Sequence, residues 1–126
     1  MKQRNKRKNF LPFKIASFSI FTFFIIYILF GLDGWGSRAT NEKAIGEISR
    51  WCERVSDGLL REPSNTLGNL GFIFVGLYMF YKLSQDATSD RGISMFGSPS
   101  IAMIYAAAST FLGPGSMAMH GTNTEF

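Results

Sequence analysis

Ile15-Ala-Ser-Phe-Ser-Ile-Phe-Thr-Phe-Phe-Ile-Ile-Tyr-Ile-Leu-Phe-Gly-Leu32 runs for 18 residues without a charge. A helix rises 1.5 Å per residue, so about 20 apolar residues cover the ~30 Å hydrocarbon core of a bilayer. Two more uncharged runs follow, Pro63 to Tyr81 and Gly92 to Met119. A soluble bundle needs a large core to hide helices that are apolar all round, and 126 residues leave little room for one. The pattern predicts an all-α membrane protein with three transmembrane helices, over 10–32, 64–82 and 98–120.

Working outward from the first run, Lys2, Arg4, Lys6, Arg7 and Lys8 crowd the residues before it, and Lys14 follows near its start. By the positive-inside rule residues 1–9 form a basic cytoplasmic tail. Lys14 can snorkel to the headgroups. Nucleic-acid binding is the lesser reading of this cluster, since no aromatic residue is interleaved before Phe10 and a bilayer span follows directly. A cleavable signal peptide is the more serious rival. The run is long for one, and Gly31 to Ser37 offers no Ala-x-Ala site, so an uncleaved span is expected.

Residues 33–62 hold five basic and six acidic side chains. Asp33-Gly-Trp-Gly-Ser37 reads as a turn, with Trp35 suited to the membrane interface. Beyond it Ala44, Ile45, Ile48, Trp51 and Cys52 fall at helical spacing, with Asn41 as a candidate N-cap. They predict a short amphipathic helix, either lying on the membrane surface or packed on the bundle as a loop helix. Cys52 is the single cysteine and by default a small buried apolar residue. A polar loop with Asp86, Asp90 and Arg91 joins the second and third spans. With the N-terminus inside, the start of span two and the end of span three share the opposite face, outer or lumenal. That face carries Glu53, Glu62, Ser116 and His120.

Polar residues then stand where a bilayer disfavours them. Glu62, Asn65 and Asn69 recur at offsets of three and four and occupy one helical face. Unsatisfied amides cost free energy in hydrocarbon, so this face meets protein, water or a metal. Interhelical hydrogen bonding is the ordinary alternative, above all for Asn69. Pro63 fits a first helical turn, where no amide donor is missed. Near the other end of the chain, Pro114 between two glycines predicts a kink. Ser116 and His120 follow it on one face. A neutral imidazole is the commonest metal ligand, although a histidine near a membrane helix end is often only interfacial. Gly113-Pro-Gly115 is no phosphate loop, since no GxxxxGK follows, and no Ser-His-Asp set can be assembled around the single histidine.

Three blocks together resemble the alkaline ceramidase family, within the superfamily of seven-helix membrane hydrolases that includes adiponectin-receptor-like proteins. They are Trp51-Cys52-Glu53, Glu62-Pro-Ser-Asn65-Thr-Leu-Gly-Asn69 and Gly115-Ser116-Met-Ala-Met-His120. The match covers roughly residues 50–126 and leaves the first span as an extra N-terminal helix. The resemblance implies that 33–126 is the N-terminal part of a ceramidase-like membrane domain. It implies zinc held by His120, with Ser116 beside the metal as a catalytic residue, and calcium bound by Glu53, Glu62 and Trp51. The activity implied is zinc-dependent hydrolysis of the amide of an N-acyl sphingoid lipid, with a membrane lipid as substrate and no nucleic acid as partner.

Some positions depart from the family pattern. Arg50 stands where the family tends to have Asp, Val55 where it tends to have Asn, and Gly68 in place of a serine. The family's further zinc ligands, an aspartate eleven residues after the histidine and a late His-x-x-x-His, have no counterpart here. A chain with one histidine cannot build a three-histidine site, so the expectation is a piece of a longer protein that is inactive alone. The alternative is a non-catalytic or receptor-like multi-pass membrane protein of the same superfamily.

Overall fold

The computed structural model describes residues 9–36, 52–56, 58–86 and 99–122. Among them the regular structure is helical: α1 (Leu11–Gly31), α2 (Pro63–Gly68), α3 (Leu70–Asp86) and α4 (Pro99–Thr122). Three stretches, Leu11–Gly31, Pro63–Gln85 and Ser100–Thr122, are long and apolar enough to cross a membrane. The architecture is that of a multi-pass membrane protein. Its exterior is apolar as lipid requires: Phe18, Phe21, Leu29, Phe74, Ile104 and Phe111 all point outward. The basic tail, the helix expected around 41–51 and the loop residues Asp90 and Arg91 lie outside the described residues.

The core is built from small residues and interlocking side chains. Ala16, Phe80 and Ala106 pack together near one end of the bundle, and Ile20, Ile73 and Met117 pack nearer the other. Gly76 lets α3 press on α4, since a Cβ there would run into the side chain and backbone of Thr110. Gly113 does the same against Ile73 and the Asn69 carbonyl. Such small-residue contacts are how membrane helices approach closely without a hydrophobic driving force. Buried hydroxyls bond back to their own helix: Thr110 Oγ1 donates to the Ala106 carbonyl at 2.7 Å and Ser84 Oγ to the Phe80 carbonyl at 2.8 Å. Neither of these two hydroxyls is thereby offered to lipid.

The second span is not one continuous helix. Asn69 separates α2 from α3, because its Nδ2 donates to the Asn65 carbonyl at 2.6 Å. That carbonyl is the acceptor the Asn69 backbone amide would use in an α-helix. The amide turns instead to the Thr66 carbonyl at 3.3 Å, and Phe72 N–H reaches the Asn69 carbonyl at 3.2 Å. A side chain competing with its own backbone is the usual reason asparagine interrupts helices. α4, in contrast, remains helical through Pro114.

Cys52 corrects another expectation. It is exposed, with φ of 61°. It sits in the left-handed region that few non-glycine residues adopt, where the chain bends before the site rather than inside the core.

Candidate functional site

One end of the bundle gathers residues far apart in sequence. α2 begins at Pro63, which needs no amide donor in a first turn, and Glu62 immediately precedes it. α4 ends beside it with His120 in its last turn. The His120 Nδ1 lies 2.7 Å from the Glu62 Oε2. Both side chains are withdrawn from solvent, at 11% and 1% exposure. Asn65 Nδ2 donates to the same Oε2 at 2.9 Å, so the i, i+3 spacing read from the sequence becomes a direct contact.

Glu53 reaches the start of α2 from the segment before it. Its Oε1 accepts the Ser64 amide at 2.6 Å and its Oε2 the Asn65 amide at 2.8 Å. These are the orphan donors of a helix start, satisfied here by a carboxylate distant in sequence. Desolvation pushes the Glu53 carboxyl up. The Asn65 and Ser64 amides, the Ser64 side chain and positive charge at His120 together outweigh that and hold it below the usual carboxylate value.

Ser116 is half-buried one turn before His120 on α4. Among the described residues its hydroxyl has no hydrogen-bond partner. Asn69 sits on the same helical edge as Asn65, but its amide is used within its own chain segment. The interhelical bond considered for Asn69 is therefore not the bond it makes. Trp51 lies outside the described residues. Val55 is half-buried.

Of the residues that tie α1 to this end, sequence reasoning missed Tyr27 and Arg61 and gave Trp35 only an interfacial place. Tyr27 Oη donates to the Leu59 carbonyl at 3.1 Å, and Trp35 Nε1 donates to the same carbonyl at 3.0 Å. Arg61, 7% exposed, donates through Nη2 to the Trp35 and Gly36 carbonyls. Its backbone amide donates to the Gly121 carbonyl at 2.9 Å. Gly121 permits this junction, since a Cβ there would collide with the Tyr27 hydroxyl. For Tyr27 the signal available was its polar tip near the end of an uncharged apolar run.

Among the described residues no group of three or more His, Cys, Asp or Glu side chains is placed to hold a metal ion. Of zinc's usual ligand types this end of the bundle offers one largely buried imidazole and the carboxylates of Glu53 and Glu62. Calcium takes six to eight oxygens. The described residues offer it two carboxylates, both already hydrogen-bonded within the protein, so no step below rests on calcium. Comparison with protein-family models, with curated proteins and with solved structures finds no match to this chain.

Proposed function

We propose that this chain is the N-terminal part of a zinc-dependent hydrolase that cleaves the amide of ceramide-like N-acyl sphingoid lipids within the membrane. One observation carries the proposal. Glu53, the opening of α2 and His120, which come from the three resembling blocks, meet at one end of the bundle. In this reading His120 is one zinc ligand. A catalytic zinc takes three protein ligands, so the others come from outside these 126 residues. Bound zinc supplies a water of lowered pKa and polarises a carbonyl.

The chain's own residues do the rest. Ser116, one turn from His120, donates a hydrogen bond to the amide oxygen as negative charge develops there. The apolar exterior of α1, α3 and α4 keeps the site within reach of a lipid's hydrocarbon chains. Water adds to the acyl carbon, the C–N bond breaks, and a proton passes to the amine, giving a fatty acid and a long-chain amine. The N-terminus is cytoplasmic and the site faces the outer or lumenal side.

The test begins with the coding sequence beyond codon 126. An aspartate eleven residues after His120 and a later His-x-x-x-His would complete the ligand set. The longer protein is then assayed with a fluorescent N-acyl sphingoid lipid. His120→Ala should abolish turnover and remove most zinc, measured by mass spectrometry. Ser116→Ala should keep zinc and slow turnover by about 10²–10³-fold. Full zinc and full turnover in His120→Ala would remove the assignment. An in-frame stop at codon 127 would favour the non-catalytic, receptor-like alternative.

A further inference from the structure

We infer that Glu62 is a positioning residue for His120: its carboxylate holds the ring by Nδ1 and fixes the Nδ1–H tautomer, which leaves Nε2 as the acceptor nitrogen. This differs from the calcium role that the resemblance implies for Glu62. It rests on the zinc reading only in the use made of Nε2; the tautomer itself needs no metal.

The geometry begins with the oxygen. Glu62 Oε2 receives Asn65 Nδ2–H at 2.9 Å and lies 2.7 Å from His120 Nδ1. An ionised carboxylate only accepts, so in this pair Nδ1 carries the proton. The 2.7 Å separation is that of a charge-assisted bond. A neutral imidazole has one donor and one acceptor nitrogen. Spending Nδ1 as donor leaves the lone pair on Nε2, across the ring from the carboxylate.

The carboxylate is itself fixed. Glu62 is 1% exposed and directly precedes Pro63, whose ring restricts the backbone before it. The Asn65 that grips Oε2 is anchored through its own amide to Glu53 at 2.8 Å. Glu53, Asn65, Glu62 and His120 thus form one continuous chain of hydrogen bonds spanning two helices. A carboxylate bonded to the distal nitrogen of a histidine is the arrangement that orients metal-ligating imidazoles and raises their basicity.

The single histidine makes the test direct. The full chain is labelled with ¹⁵N-histidine, placed in lipid nanodiscs without metal, and studied by NMR at a pH about two units above the ordinary histidine value of ~6.5. One pair of ring-nitrogen signals results. Protonated Nδ1 and bare Nε2 are expected. The Nε2–H tautomer in the wild type would overturn the inference, whatever any variant does. Glu62→Leu should convert the ring to the Nε2–H form, and retention of Nδ1–H there would also overturn it. Calcium added to the wild type should leave the ring signals in place; a calcium-induced switch would assign Glu62 to that ion instead.

Zinc alone, titrated into the longer protein, is the second probe. Its affinity should fall by about 10–100-fold in Glu62→Leu, with partial recovery in Glu62→Asp. Unchanged affinity would exclude a positioning role. Turnover and zinc content of the longer protein test the hydrolase reading separately, so loss of that reading leaves the tautomer result to decide this one.

Discussion

Glu53 shows how one side chain can set the start of a helix that others depend on. Its carboxylate replaces the N-cap side chain that α2 lacks, accepting the Ser64 and Asn65 amides. Its carboxyl is held below the ordinary value of 4.5. The ionised form is therefore favoured by folding, and its contribution is fully present above the unfolded-state value. It is lost as pH falls through the folded-state value. Glu53→Ala should destabilise the protein at pH 7 by about 0.5–2 kcal/mol, the usual worth of a cap, toward the low end because water screens a partly exposed carboxylate. Thermal unfolding in detergent from neutral to acidic pH measures this. The gap between wild type and variant should narrow below about pH 4.5; a gap constant with pH would mean that packing, not charge, accounts for it.

Among the elements, the α3–α4 pair depends on where glycine stands. Gly76 faces Thr110, with the Thr110 Cα 2.7 Å from where a Cβ would lie. Gly71, on the same helix, has nothing within 4 Å of that position. The same substitution should thus have opposite signs. Gly76→Ala forces the helices apart and should cost about 1–3 kcal/mol. Gly71→Ala gains helix propensity and should stabilise by up to about 1 kcal/mol. Unfolding midpoints in mixed micelles compare the two. Equal shifts would show that the helices are not in register at Gly76. The register matters to the site, because the Gly76 and Gly113 contacts between α3 and α4 set where His120 arrives beside Glu62.

On the scale of the molecule, α1 belongs to the same body as the site although it lies outside the resembling region. Its Tyr27 and the following Trp35 share the Leu59 carbonyl. At its opposite end Phe10 and Phe13 pack against Tyr81 of α3, with ring centroids 6.1 and 5.7 Å away. The end holding Glu62 and His120 is therefore opposite the N-terminal end of α1, which the basic tail precedes in sequence. If that tail is cytoplasmic, a cysteine placed by Thr40→Cys in a Cys52→Ser background should react with an impermeant reagent from outside intact cells. One placed by Thr88→Cys should not react. The reverse pattern would invert the orientation and with it the side on which the site opens.

Spans and charge asymmetry were legible from composition because a bilayer imposes length and apolarity on each segment separately. Ile15 to Leu32 needed no partner to be recognised as a span, and the expected ends of all three spans lie within a few residues of the helices described. Glu62, Asn65 and His120 were legible for the same reason: polar groups are conspicuous in or beside an apolar run. Their pairing was not. The Glu62–His120 contact joins residues 58 apart and exists because glycines bring α3 and α4 together. The break at Asn69 depends on which of two donors takes the Asn65 carbonyl, a competition between near-equal hydrogen bonds that no spacing rule resolves. The Tyr27, Trp35 and Arg61 bonds end on main-chain carbonyls, which every residue possesses, so only the tertiary structure could decide which carbonyls they reach.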